Sequence, residues 1–103
     1  MLWAIHRVYK TDMTQIRAAK TDEHRAYLLK CKDILMFTGQ LQSDDGAQAL
    51  GAWLVVNVNS RADAQAFLDA DPFAKAGMLA SATIMRMRKG RWNADIYNNN
   101  IAA

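Results

Sequence analysis

Two residues of this chain are suited to moving a proton, His24 and Asp71. Histidine exchanges a proton near neutral pH and is the usual side chain for general acid–base work. A carboxylate beside it would hold the ring and stabilise the imidazolium. Each residue also has a plainer reading. His24 could sit on a helix surface or fill a packing gap. Asp71 precedes Pro72, and that pair makes a helix N-cap followed by proline at the first helical position. Both roles fit Asp71 only if one carboxylate oxygen stays free. Arg17 and Lys20 could bind a carboxylate or phenolate, or could lay their stems on the core and reach water. Ser43, Asp44 and Asp45 could coordinate a metal, although two adjacent carboxylates in a hairpin turn are ordinary turn formers. No zinc or calcium spacing is present. Neither is a glycine-rich phosphate loop or a nucleophile elbow. Neither metal nor cofactor is therefore expected, and Cys31 reads as an inert thiol on an inward stripe.

The elements that must position these residues follow from periodicity. Leu2–Tyr9 reads as a strand, with Leu2, Ala4, His6 and Val8 on one face and Trp3, Ile5, Arg7 and Tyr9 on the other. His6 and Arg7 leave neither face wholly apolar. Thr11-Asp12 offers a cap for a helix running from Met13 to about Lys32. Met13, Ile16, Tyr27, Leu28 and Cys31 share one stripe of that helix, and Arg17, Lys20 and His24 interrupt it. Ile34–Leu41 and Ala49–Val58 read as strands of an antiparallel hairpin turning through Ser43-Asp44-Asp45-Gly46. Ser60 to Asp63 is a capping box with Asp in the usual Glu position. It starts a helix that ends near Ala70, with Ala62, Ala66 and Phe67 inward. Phe73–Leu79 reads as a short helical turn closed at Gly77, and Ala82–Met87 as the last strand.

The expected fold is α+β, β-α-β-β-α-β, with a four-stranded antiparallel sheet and both helices on one face. The opposite face then has no cover. Trp3, Ile5, Trp53 and Val55 are too apolar for a wet sheet, so a homodimer pairing two such faces is expected. Residues 91–103 read as a tail. Its Trp92, Ile96 and Tyr97 suggest docking, for example on a neighbouring subunit.

A chain of 103 residues makes one domain, and half its residues are hydrophobic against 22% charged, which excludes a disordered segment. The net charge of +3 is mild, and the basic residues lack an aromatic-and-basic RNA motif, so no nucleic-acid partner is expected. A single Cys and the absence of a signal-like start point to the cytoplasm, and no apolar run suits a membrane span.

Over residues 1–90 the chain resembles the YciI-like family of small proteins. The matching pieces are Met1-Leu2-Trp3-Ala4-Ile5, His24-Arg25-Ala26-Tyr27-Leu28 and the hairpin from Thr38 to Gly46. They continue with the segment from Ser60 to Phe67, then Asp69-Ala70-Asp71-Pro72-Phe73 through Gly77, and the strand from Thr83 to Lys89. Gln40 and Phe73 depart from the Pro and Tyr common at those places. The resemblance implies a ferredoxin-like fold paired as a dimeric α/β barrel, with His24 and Asp71 meeting in a cleft as an active-site pair. It also implies chemistry of the dehydrochlorinase or muconolactone-isomerase kind. The expected function is a small cofactor-free lyase or isomerase acting on a small cyclic anion. Arg17, Ser43 and Phe73 are then candidates for binding that substrate. The alternative is a non-catalytic homodimer that binds a small molecule or serves a partner enzyme.

Overall fold

Strand β1 (Leu2–Tyr9) is hydrogen-bonded along both edges, to β3 (Ala49–Asn57) and to β4 (Leu79–Met87). β2 (Leu35–Gln42) pairs with the far edge of β3, so the sheet order is β2-β3-β1-β4, antiparallel throughout. Helix α1 (Thr14–Lys30) joins β1 to β2, and α2 (Arg61–Ala70) with the short α3 (Pro72–Lys75) joins β3 to β4. These are the features of the computed structural model over residues 1–93 and Ile96. The element order and the ferredoxin-like α+β fold are those expected from the sequence.

The core forms where the helices cover one sheet face. Ile5, Ala52, Leu54, Val56 and Ile84 from the sheet meet Ala64, Phe67 and Leu68 of α2, all buried. Tyr27, Leu28 and Cys31 of α1 pack at its margin. Ser60 caps α2 by accepting the Asp63 N–H at 3.1 Å. The inward residues of α2 are Ala64, Phe67 and Leu68, at i, i+3 and i+4, while Ala62 and Ala66 face water. That corrects the expected inward set, because alanine gives little sign of which side of a helix it occupies.

A second correction concerns the two faces of the sheet. Ile5 stands opposite Leu54 and Trp3 opposite Val56, so both lie under the helices. Trp3 donates its indole N–H to the Val58 carbonyl at 3.3 Å. The uncovered face instead carries Ala4, His6, Phe37, Trp53, Val55 and Met85. Side chains alternate across a strand, and only the register tells which alternate set meets the helices. On the uncovered face the Trp92 ring stands edge-on to Phe37, 6.0 Å between centroids. Trp92 thus packs on its own sheet and Ile96 is exposed, while the expectation for Tyr97 lies outside the described residues.

Two details near β1 position the site. Gly51 lies opposite Val8, and a Cβ there would meet the Arg7 carbonyl oxygen at 2.0 Å. Only glycine lets β3 approach the Arg7 backbone this closely. Just beyond the same end of β1, Asp12 adopts φ 60° and turns the chain into α1. The expected Thr11-Asp12 cap is not made. Met13 holds the N-cap position without a side-chain hydrogen bond, because Asp12 is used for the turn. No residue of α1 is fully buried. Its stripe of Arg17, Lys20, His24, Tyr27 and Leu28 is half-buried, and Ile16 faces out.

Candidate active site

Asp71 sits at the corner between α2 and α3, where Pro72 forbids continuing α2. Its carboxylate is completely buried. Oδ1 accepts the Phe73 backbone N–H at 3.0 Å, which is the N-cap bond of α3. The same oxygen lies 2.8 Å from His24 Nδ1. Oδ2 accepts from Nη1 of Arg7, which reaches across from β1. The cap and the histidine partner are therefore one carboxylate, and the expected condition of a free oxygen is not met: Oδ1 serves both roles and Oδ2 is taken by Arg7.

Burial alone would push the Asp71 carboxyl up. The hydrogen bond from His24, the Arg7 charge and the Phe73 N–H outweigh it and hold the pKa below the usual carboxylate value. Asp71 is thus ionised at neutral pH, and an ionised carboxylate only accepts. The hydrogen of neutral His24 must then lie on Nδ1, which leaves the Nε2 lone pair as the basic position. Phe73 stacks on the His24 ring at 4.0 Å between centroids and 11° between planes. Ring stacking on one side and the Nδ1 bond on the other hold the imidazole in one orientation.

Arg7 was not legible as a site residue. It is 1% exposed, pairs with Asp71, and lies 5.9 Å from the Phe73 centroid. Its Nε is buried without a hydrogen-bond partner among the described residues. An unmet buried donor costs about 1–3 kcal/mol, so a residue that only packed would be expected to be apolar here. The one signal in the sequence is a charge in the middle of a strand otherwise rich in apolar residues.

A cavity of about 280 Å³ opens beside this cluster between α1 and the sheet. His24, Phe73 and Arg17 line it, as do Arg7, Tyr9 and Arg25. Three arginines and a histidine are among its lining residues, and no Asp or Glu is among them in the described residues. Of the residues singled out in the sequence, His24, Asp71, Phe73 and Arg17 come together. Ser43 does not. Its hydroxyl donates to Asp45 Oδ1 at 2.7 Å and accepts the Gln48 N–H at 3.0 Å, closing the β2–β3 turn. Ser43 is not part of the cavity wall, and Lys20 instead pairs with Glu23 at 3.5 Å. Among the described residues, no three His, Cys, Asp or Glu side chains are grouped to hold a metal, and no helix is long and apolar enough to cross a membrane.

A βαββαβ domain with a buried His–Asp–Arg cluster opening on a basic cavity defines the class of protein. The profile of the YCII-related domain matches residues 1–88, and the chain belongs to that family. Among solved structures, 5-chloro-2-hydroxyhydroquinone dehydrochlorinase from Burkholderia phenoliruptrix AC1100, in complex with 2,5-dihydroxybenzoquinone, is similar at 28% identity and TM-score 0.79. The match covers 87% of this chain and 96% of that one. HapK from Hahella chejuensis matches at 15% identity and TM-score 0.50, over 91% of this chain and 99% of that one, and shares the fold. Comparison of the sequence with curated proteins returns no significant match.

Proposed function

We propose that the chain is a cofactor-free lyase or isomerase acting on a small cyclic anion, with His24 as the proton carrier and Asp71 as its partner. The observation that carries this reading is the 2.8 Å contact between His24 Nδ1 and a carboxylate already bound by Arg7. It leaves Nε2 as the free basic nitrogen of a residue on the cavity wall. Arg17 and Arg25 supply positive charge to hold an anion there. Phe73 backs the histidine and gives the ring an apolar neighbour. The dehydrochlorinase likeness supports a quinol or quinone as the ring.

For a chlorinated hydroxyquinol the balanced reaction is loss of HCl. His24 moves a proton from a ring hydroxyl to the chlorine-bearing carbon, which becomes tetrahedral. A second hydroxyl, across the ring, then gives up its proton. Its oxygen becomes a carbonyl as the ring double bond shifts and chloride leaves with the C–Cl electron pair. The product is a quinone, and no outside oxidant is needed. An isomerase would use the same histidine to take a proton at one ring atom and return it at another. A second copy of the chain covering the Phe37, Trp53 and Met85 face would complete a dimeric barrel, and light scattering at micromolar concentration would then give twice the chain mass.

Turnover on chlorinated hydroxyquinols and muconolactones tests the function. Wild type should release chloride or isomerise lactone, and His24→Ala should lose at least about 100-fold in kcat with its fold intact. Equal ligand binding by both proteins with no turnover by either would reject catalysis and support a binding module.

A further inference from the structure

The wall of the His24 cavity is shared. Tyr9 and Arg17 also line a second cavity of about 570 Å³, formed by the end of β1, the first turn of α1 and the β2–β3 hairpin. The His24 cavity alone falls just below the roughly 300–1,000 Å³ usual for small-molecule sites, and the two together fall inside it. The larger cavity has a different lining. Val8, Ala47, Ala49 and Leu50 give it an apolar wall, and Lys10 and Asp12 add one charge of each sign. Leu50 is 46% exposed, a large apolar side chain left facing open space. At the junction stands Arg17. It is half-buried, and among the described residues its side chain makes no ion pair or hydrogen bond. A guanidinium partly removed from water without a partner favours an anion beside it.

We propose that the substrate is a ring bearing both an acidic group and an apolar side arm. The ring lies against His24 and Phe73, the acidic group meets Arg17, and the arm extends along Leu50 in the larger cavity. This rests on the His24 cavity being the substrate site and adds to it a second subsite and a substrate shape. A bare ring fills only the smaller cavity and leaves the Leu50 wall wet. Each methylene moved from water onto that wall is worth about fourfold in affinity. An arm of five carbons, partly covered in an open groove, should therefore gain at least about tenfold.

Calorimetry with two probes tests this. One is 2,5-dihydroxybenzoquinone, and the other is the same ring carrying a pentyl arm. Wild type should bind the armed ring at least about tenfold more tightly. Leu50→Trp, which fills the groove, should bring the ratio of the two affinities near one. Ala47→Leu narrows the groove from the hairpin side and should lower the same ratio if the Trp variant does not fold. Arg17→Met should weaken both ligands. Equal binding of the two rings by wild type would overturn the side-arm inference and leave the His24 cavity as a ring site. A preference that survives both groove variants would also overturn it. Failure of wild type to bind either ring would remove the inference together with the functional reading beneath it.

Discussion

Removing the Arg7 guanidinium should change stability in a way that depends on pH. In Arg7→Met the buried Asp71 carboxylate loses its cationic partner but keeps the His24 and Phe73 hydrogen bonds. Breaking a buried ion pair from one side typically costs about 3–5 kcal/mol. Two surviving donors and relief of the unmet Arg7 Nε reduce that here, so we expect about 2–3 kcal/mol at pH 7. The pH sign follows from Asp71. Its folded pKa is depressed, so it stabilises the fold above the ordinary carboxylate pKa, and that contribution is lost as pH falls through the lower folded value. Without Arg7 the burial that pushes the carboxyl up is opposed by less. The gap between wild type and variant should therefore be widest near neutrality and narrow below the ordinary carboxylate range. Urea unfolding followed by Trp fluorescence reads this out. At a slope of about 1.5 kcal/mol/M the variant's midpoint should drop by roughly 1.3–2 M at pH 7. A variant within about 0.5 kcal/mol of wild type, or a loss that is the same at pH 7 and pH 3, would refute the charge pairing.

Three further outcomes follow from the same geometry. Asp71→Asn should lower kcat by roughly 10²–10⁴-fold with a smaller change in KM, because an amide no longer fixes the His24 tautomer; steady-state kinetics check it. Gly51→Ala should destabilise by at least about 2 kcal/mol, since its Cβ would collide with the Arg7 carbonyl; thermal unfolding measures the loss. Ser60→Ala should cost about 0.5–2 kcal/mol through the lost α2 cap, with turnover per folded molecule unchanged; denaturant melts and activity assays separate the two.

The order of elements was legible because its signals are local. Strand alternation, the Ser60 cap and the Asp71-Pro72 break each act over a few residues, and the chain obeys them. The half-buried stripe of α1 was likewise visible as an apolar face interrupted by Arg17, Lys20 and His24. Local sequence left His24 and Asp71 with two readings each, and only the family resemblance joined them.

The remainder depended on contacts between distant parts of the chain. Arg7 lies 64 residues from Asp71, and nothing within β1 says which alternate face the helices cover. Sheet register decides that, and it moved Trp3 and Ile5 from the expected open face to the core. Ser43 could be placed in a turn from its neighbours, but not kept out of the cavity. For His24 and Asp71, the residue types alone specified a possible proton carrier and a helix cap. Burial, three converging hydrogen bonds and the Arg7 charge made them one cluster, because a carboxylate stays ionised inside a protein only where such partners meet it.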